Sequence, residues 1–137
     1  VKRGTLVLVS VAFLAGIVSG GFLSSPLQAQ SRRTSETTDL MRVDLGAWCE
    51  GKEATVQLLE FGVGASGRHF HPAHSFAYIL EGTETQQTEG RGLVTANAGD
   101  VLYDSPGEIH ETTTPAPARA VIFRIIEKGK ETNTYVP

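Results

Sequence analysis

The sequence predicts an all-β domain, a sandwich or barrel of short strands. Strand-forming segments recur with turn signals between them at roughly the eight- to twelve-residue spacing typical of such folds. Glycine is abundant, 15 of 137 residues, as tight turns require. Beyond an apolar stretch near the amino terminus, no window holds a sustained helical period. A chain of this length is expected to form one domain.

Residues 1–29 stand apart from that domain. Lys2 and Arg3 form a short positive region, Leu6 to Leu23 an apolar run, and Ser24-Ser25-Pro26-Leu27-Gln28-Ala29 a polar region, the plan of a signal peptide cut after Ala29. The apolar run is also long enough to remain as an uncleaved anchor. Either way the domain is expected outside the cytoplasm, secreted or periplasmic, with membrane contact only if the segment stays uncleaved. Residues 30–42, polar from Ser31 to Asp39, read as a linker or flexible arm, and 43–137 as the folded domain.

Within the domain, Ala54 to Phe61 (ATVQLLEF) alternates loosely and is rich in strand formers, and Gly62 to Gly67 is a glycine-rich break. Ser75 to Leu80 (SFAYIL) is a strand stopped by Glu81-Gly82, and Thr83 to Thr88 is another, with a turn at Gly90-Arg91-Gly92. Leu93 to Thr95 and Val101 to Tyr103 flank a turn at Ala98-Gly99-Asp100, and Ser105-Pro106-Gly107 breaks the chain again. His110 to Thr113 and Arg119 to Ile126 (RAVIFRII) are the last strands, separated by Pro115 and Pro117. The aromatic residues Phe76, Tyr78, Tyr103 and Phe123 are expected in the barrel core.

The near-balanced charge, −3 with no basic block, argues against nucleic acid as a partner, since phosphate binding needs clustered Lys and Arg. The single cysteine, Cys49, excludes an internal disulfide and is expected to pack beside Trp48 as a small apolar residue. Stability must then come from the core, a metal or a partner subunit, which makes a homodimer the expected assembly.

The four histidines carry the chemistry. His69 and His71 are two apart, so on an extended segment both imidazoles share one face, half of a transition-metal site. Alone, the pair is better read as histidines in an exposed glycine-rich loop. Its setting, GASGRHFHPAHSFAYILEG over residues 64–82, resembles the first motif of the cupin superfamily: a glycine, His-x-His, a glutamate and a closing glycine. Gly99-Asp100 followed by Pro106-Gly107-Glu108-Ile109-His110 resembles the second motif, in which proline and glycine lead into a third histidine. The resemblance spans Val43 to Glu127 and implies a double-stranded β-helix, the cupin jelly-roll barrel, with His69, His71 and His110 as ligands of a divalent transition metal (Zn, Fe, Mn, Ni or Cu).

The resemblance breaks at Ser75, which stands where the family has its glutamate ligand. Three readings follow: a three-histidine site with positions open to water or substrate, a site in which His74 turns in as a fourth ligand, or a site too weak to hold metal. On an ideal strand Ser75 and His74 face opposite sides. A Ser75→Glu substitution is expected to tighten metal retention by restoring the ligand. Three neutral imidazoles leave the ion its full charge, which favours anionic ligands.

Gly62-Val63-Gly64-Ala65-Ser66-Gly67 fits the dinucleotide fingerprint G-x-G-x-x-G, but no helix pattern follows it, so it is set aside. Glu60, Asp104, Glu108 and Glu111 are carboxylates on or near the motif strands that can orient a histidine or simply be solvated. The resemblance implies an exported metal-binding domain that binds or acts on a small polar or anionic molecule, by oxygen-dependent cleavage, isomerisation or lyase chemistry. The rival is a non-catalytic binding or sensing module with a structural metal or none.

Overall fold

The computed structural model describes residues 32–137. The expected signal segment lies outside the described residues. Among the described residues eleven strands form: β1 (Ser35–Asp44), β2 (Lys52–Phe61), β3 (Gly64–Ala65), β4 (His69–Phe70), β5 (Ala73–Glu81), β6 (Thr83–Thr88), β7 (Leu93–Asn97), β8 (Val101–Asp104), β9 (His110–Thr114), β10 (Ala118–Glu127) and β11 (Thr134–Tyr135). One sheet runs β1-β2-β10-β5-β8 and the other β11-β4-β9-β6-β7, with β3 also on β9; every strand pair is antiparallel. Two such sheets packed face to face make the expected jelly-roll barrel.

Strand parity explains which residues line the barrel. On β10, Ala118, Ala120, Ile122, Arg124 and Ile126 are buried while the residues between them are not. On β5, Ala73, Ser75, Ala77 and Ile79 point inward. Leu59, Phe61, Ala77, Ile79, Ala96, Leu102, Ala118, Ala120 and Ile122 form the apolar core. Further along the same strands the interior becomes polar, at Thr55, Ser75, Asp104 and Arg124, and that end carries the histidines.

Glycine is required at one turn in particular. Gly82 joins β5 to β6 with φ +81°, and a Cβ there would lie 2.8 Å from the Pro117 carbonyl oxygen and 2.9 Å from Ala118 Cβ. Both the left-handed backbone and the close approach demand the missing side chain.

Three expectations are corrected. Much of the stretch 30–42, read as a linker or flexible arm, is sheet: β1 pairs with β2 from Ser35↔Phe61 to Asp44↔Glu53, with a bulge between Asp39 and Met41. Its ladder is made by main-chain groups, so an edge strand exposed along its whole length needs no apolar alternation. Phe76, Tyr78, Tyr103 and Phe123 lie on the outer face rather than in the core, because Ser75 and Ile122 take the inward parity. There Phe76 packs on Tyr103 and Phe123 with ring centroids 5.0 and 6.1 Å away. Cys49 and Trp48 do not pack inward either: both are exposed, Trp48 at 95 %, in the turn between β1 and β2.

Candidate metal centre

β4 and β9 bring the histidines together. His69 and His110 are cross-strand partners, and His71 follows β4 on the same inward face. All three are buried, with ring centroids 4.5 to 5.0 Å apart and candidate ligand atoms within 4.8 Å of one another.

Each ring is oriented by a main-chain carbonyl. Nδ1 of His69 lies 2.9 Å from the Gly67 oxygen, Nδ1 of His71 2.9 Å from that of Thr132, and Nδ1 of His110 3.0 Å from that of Glu108. A carbonyl only accepts, so each Nδ1 carries the proton and each Nε2 keeps its lone pair for a ligand. This arrangement fits a transition-metal ion, whose histidine ligands characteristically donate their second nitrogen in this way. Burial reinforces it by disfavouring the imidazolium. His69 is pushed down to about 4, by desolvation and then by the charges of His110, Arg33 and Arg124, against the opposing Gly67 bond. His71 is pushed down to about 3, by desolvation first and the Arg124 charge second.

The histidines open on a cavity of about 180 Å³ whose walls also carry Ser75, Asp104, Arg124, Gln86, Arg33 and Glu84. Ser75 lies between Arg124 and Asp104 in register, so a buried cation and a buried carboxylate flank a small residue. Arg124 is 2 % exposed; its Nη1 donates to Gln57 Oε1 at 2.6 Å, while its Nε–H has no partner among the described residues. Burial lowers it to about 10, with Asp104 opposing, so it stays charged at neutral pH. Gln57 Nε2 in turn donates to Asp39 Oδ1 on β1 at 2.7 Å, tying the edge strand to the site. Arg33 is neutralised by Glu84 at 2.9 Å and lies over the Phe61 ring.

His74, considered as a fourth ligand, faces away. It is exposed on the outer side of β5, where Tyr103 Oη lies 2.9 Å from its Nδ1 and the two rings stack. Strand geometry continues unbroken from Ala73, so His74 and Ser75 take opposite faces. Of the four carboxylates singled out, only Asp104 reaches the cavity. Glu60 pairs with Arg119 at the surface, and Glu108 serves His110 through its carbonyl, its carboxylate binding the Ser105 N–H. The glycine-rich 62–67 segment contributes β3 rather than a helix, so it holds no dinucleotide loop. Arg124 was not singled out in the sequence, although its inward parity in RAVIFRII is a legible signal.

Fold and site together define a jelly-roll barrel with a three-histidine candidate metal centre at its polar end. A family model described as a cupin domain matches residues 55–126, more than half of the sequence, and the chain belongs to that family. No curated protein matches the chain. Among solved structures it is similar to the DMSP lyase DddQ from Ruegeria pomeroyi, at 18 % identity and a TM-score of 0.60, over 85 % of this chain and 57 % of that one. It is similar to a cupin-like protein from Thermotoga maritima at 17 % identity and a TM-score of 0.59, over 76 % and 78 % of the two chains. A cupin superfamily protein from Desulfitobacterium hafniense aligns at 15 % identity and a TM-score of 0.57, over 69 % and 79 %. At these identities the likeness establishes the fold.

Proposed function

We propose that this cupin is an exported metal-dependent protein that binds or acts on a small anionic molecule. The observation that carries the reading is the convergence of three buried imidazoles, each with its Nδ1 held by a carbonyl, beside Arg124, a buried cation whose Nε–H has no partner among the described residues. His69, His71 and His110 would hold the ion, which when bound supplies a Lewis acid for an oxygen of the ligand. Arg124 orients the anion by charge and hydrogen bond, and Gln57 fixes the guanidinium. The apolar end of the barrel excludes water from one side of the site. A cavity of about 180 Å³ is a little larger than the roughly 150 Å³ that holds benzene, so small carboxylates are the class to test first. The same reading holds the domain to be exported behind a signal cut after Ala29 and to form a homodimer; amino-terminal sequencing of the mature protein and sedimentation equilibrium test these points.

Elemental analysis of the purified protein tests the centre, with one transition-metal ion per chain expected after reconstitution and none in His71→Ala. Sub-stoichiometric metal in the wild type overturns the reading. An Arg124→Met variant tests the ligand class. It should keep its metal yet bind small carboxylates about 10- to 100-fold more weakly in calorimetry, the worth of a lost charge-assisted hydrogen bond at about 1.5–3 kcal/mol. Unchanged carboxylate affinity removes Arg124 from the site.

A further inference from the structure

The two sheets differ in what their outer faces offer to water. Around β6 and β9 the outward positions are polar: Thr83, Thr85 and Gln87 on one strand, Glu111 and Thr113 on the other. An antiparallel sheet with a solvated outer side has this composition. The β1-β2-β10-β5-β8 sheet does not. Its outward residues fall into register across all five strands. One row reads Met41, Val56, Phe123, Phe76 and Tyr103, and the next Thr38, Leu58, Val121, Tyr78 and Val101. Only Thr38 interrupts the apolar and aromatic character of the two rows. With the barrel core on its inner side, this sheet is apolar on both faces, the pattern of a sheet covered on both. Yet Met41, Phe76, Tyr78, Val101, Tyr103 and Phe123 are 37 to 56 % exposed.

At those exposures the face presents roughly 600 Å² of apolar surface, the upper end of the about 300–600 Å² that a soluble monomer leaves in one patch. Buried from two chains it gives about 1,200 Å², the area at which specific, stable interfaces begin. Charge selects the occupant. Neither row holds a charged side chain. Charges stand at the two ends of the face and are paired within the chain, Arg119 with Glu60 at 3.1 Å and Glu81 at 2.8 Å, and Lys52 with Glu127 at 3.3 Å. A lipid surface calls for a rim rich in Lys and Arg, which this face lacks. A face with an uncharged centre and paired ends meets no repulsion from its own copy, and two such sheets pack about 10 Å apart with interdigitating side chains. We propose that the outer face of the β1-β2-β10-β5-β8 sheet is a two-fold interface for a second copy of this chain, centred on Phe76 and Tyr78. The inference rests on the homodimer reading and gives that dimer its surface. It is independent of the metal reading, because these side chains point away from the cavity.

Sedimentation equilibrium measures the dimer constant of the purified protein and of variants that carry the threonines of the other sheet's outer face onto this one. Threonine is a good strand former, so Phe76→Thr and Tyr78→Thr should match the wild type in circular dichroism. Each should weaken dimerisation at least about 30-fold, the loss typical of a central aromatic anchor, and the double variant should be monomeric. Thr85→Lys, on the outer face of the opposite sheet, should leave the dimer constant unchanged. Tyrosine nitration checks the surface without substitution: Tyr78 and Tyr103 should be protected in the dimer and reactive on dilution, with the exposed Tyr135 reactive in both. A wild-type dimer that survives both threonine substitutions, or in which all three tyrosines react equally, overturns this surface and leaves the homodimer standing. So does a dimer broken by Thr85→Lys. A monomeric wild type overturns the homodimer and this inference together, and its cosedimentation with phosphatidylcholine vesicles would give the face to a membrane instead.

Discussion

Lowering the pH should destabilise the metal-free protein steeply, and the two most perturbed histidines set the size of the effect. Burial holds His69 at about 4 and His71 at about 3, against 6.5 for a free imidazole. The unfolded chain therefore takes up protons that the folded one refuses, so the stability they contribute is complete above about pH 6.5 and falls as the pH drops toward the folded values. From about pH 6.5 to about pH 5 is roughly 1.5 units, and at 1.36 kcal/mol per unit each ring loses about 2 kcal/mol, the pair about 4 kcal/mol. For a domain of this size that is about 15–30 °C in Tm and a large share of a typical total stability of roughly 5–15 kcal/mol. Urea denaturation of chelator-treated protein at about pH 7.5 and about pH 5 measures it, with His71→Asn expected to remove about half of the difference. A change under about 1 kcal/mol, or one untouched by His71→Asn, refutes the argument from burial.

Two further substitutions probe the fold around the site. His74→Ala should leave metal stoichiometry and affinity unchanged, since the ring is bonded to Tyr103 on the outer face; a loss of metal places it in the site after all. Gly82→Ala should cost about 1–3 kcal/mol in urea denaturation, because a Cβ would meet the Pro117 carbonyl from a left-handed backbone; a neutral result means the turn shifts freely.

Much of this was legible in the sequence because chemistry and period coincided there. His69, His71 and His110 sit in motifs whose glycines and prolines fix the turns around them, and the parity of β5 foretold that His74 and Ser75 would part. The aromatic residues misled because hydrophobicity does not dictate burial: a narrow barrel filled by imidazoles, Arg124 and Leu59 takes Ala and Ser on β5, leaving Phe76 and Tyr78 outside. β1 was illegible for a different reason. An edge strand is held by main-chain pairing, which leaves no mark in side-chain pattern, so a sequence such as Ser35–Asp44 looks like a linker. Arg124 was hidden in an otherwise apolar strand, where only its alternation marks it as inward.

The three carbonyls that orient the imidazoles do not come from equally local parts of the chain. Gly67 and Glu108 each lie two residues from the ring they serve, whereas Thr132 is 61 residues from His71. Thr132 is held in place by β11 pairing with β4, by Val136 N–H donating to the Arg68 carbonyl, and by Arg32 over the Tyr135 ring. The tautomer of one candidate ligand, His71, is thus set by whether residues 132–136 are docked. In the proposed metal-binding reading, ion binding at these histidines and tail docking are thermodynamically linked, and whatever free energy the docked tail lends to ion binding, a bound ion returns to the tail. Hydrogen exchange at Val136 therefore reports on the centre from outside it: protection there should rise on ion binding by the factor that undocking the tail costs in ion affinity.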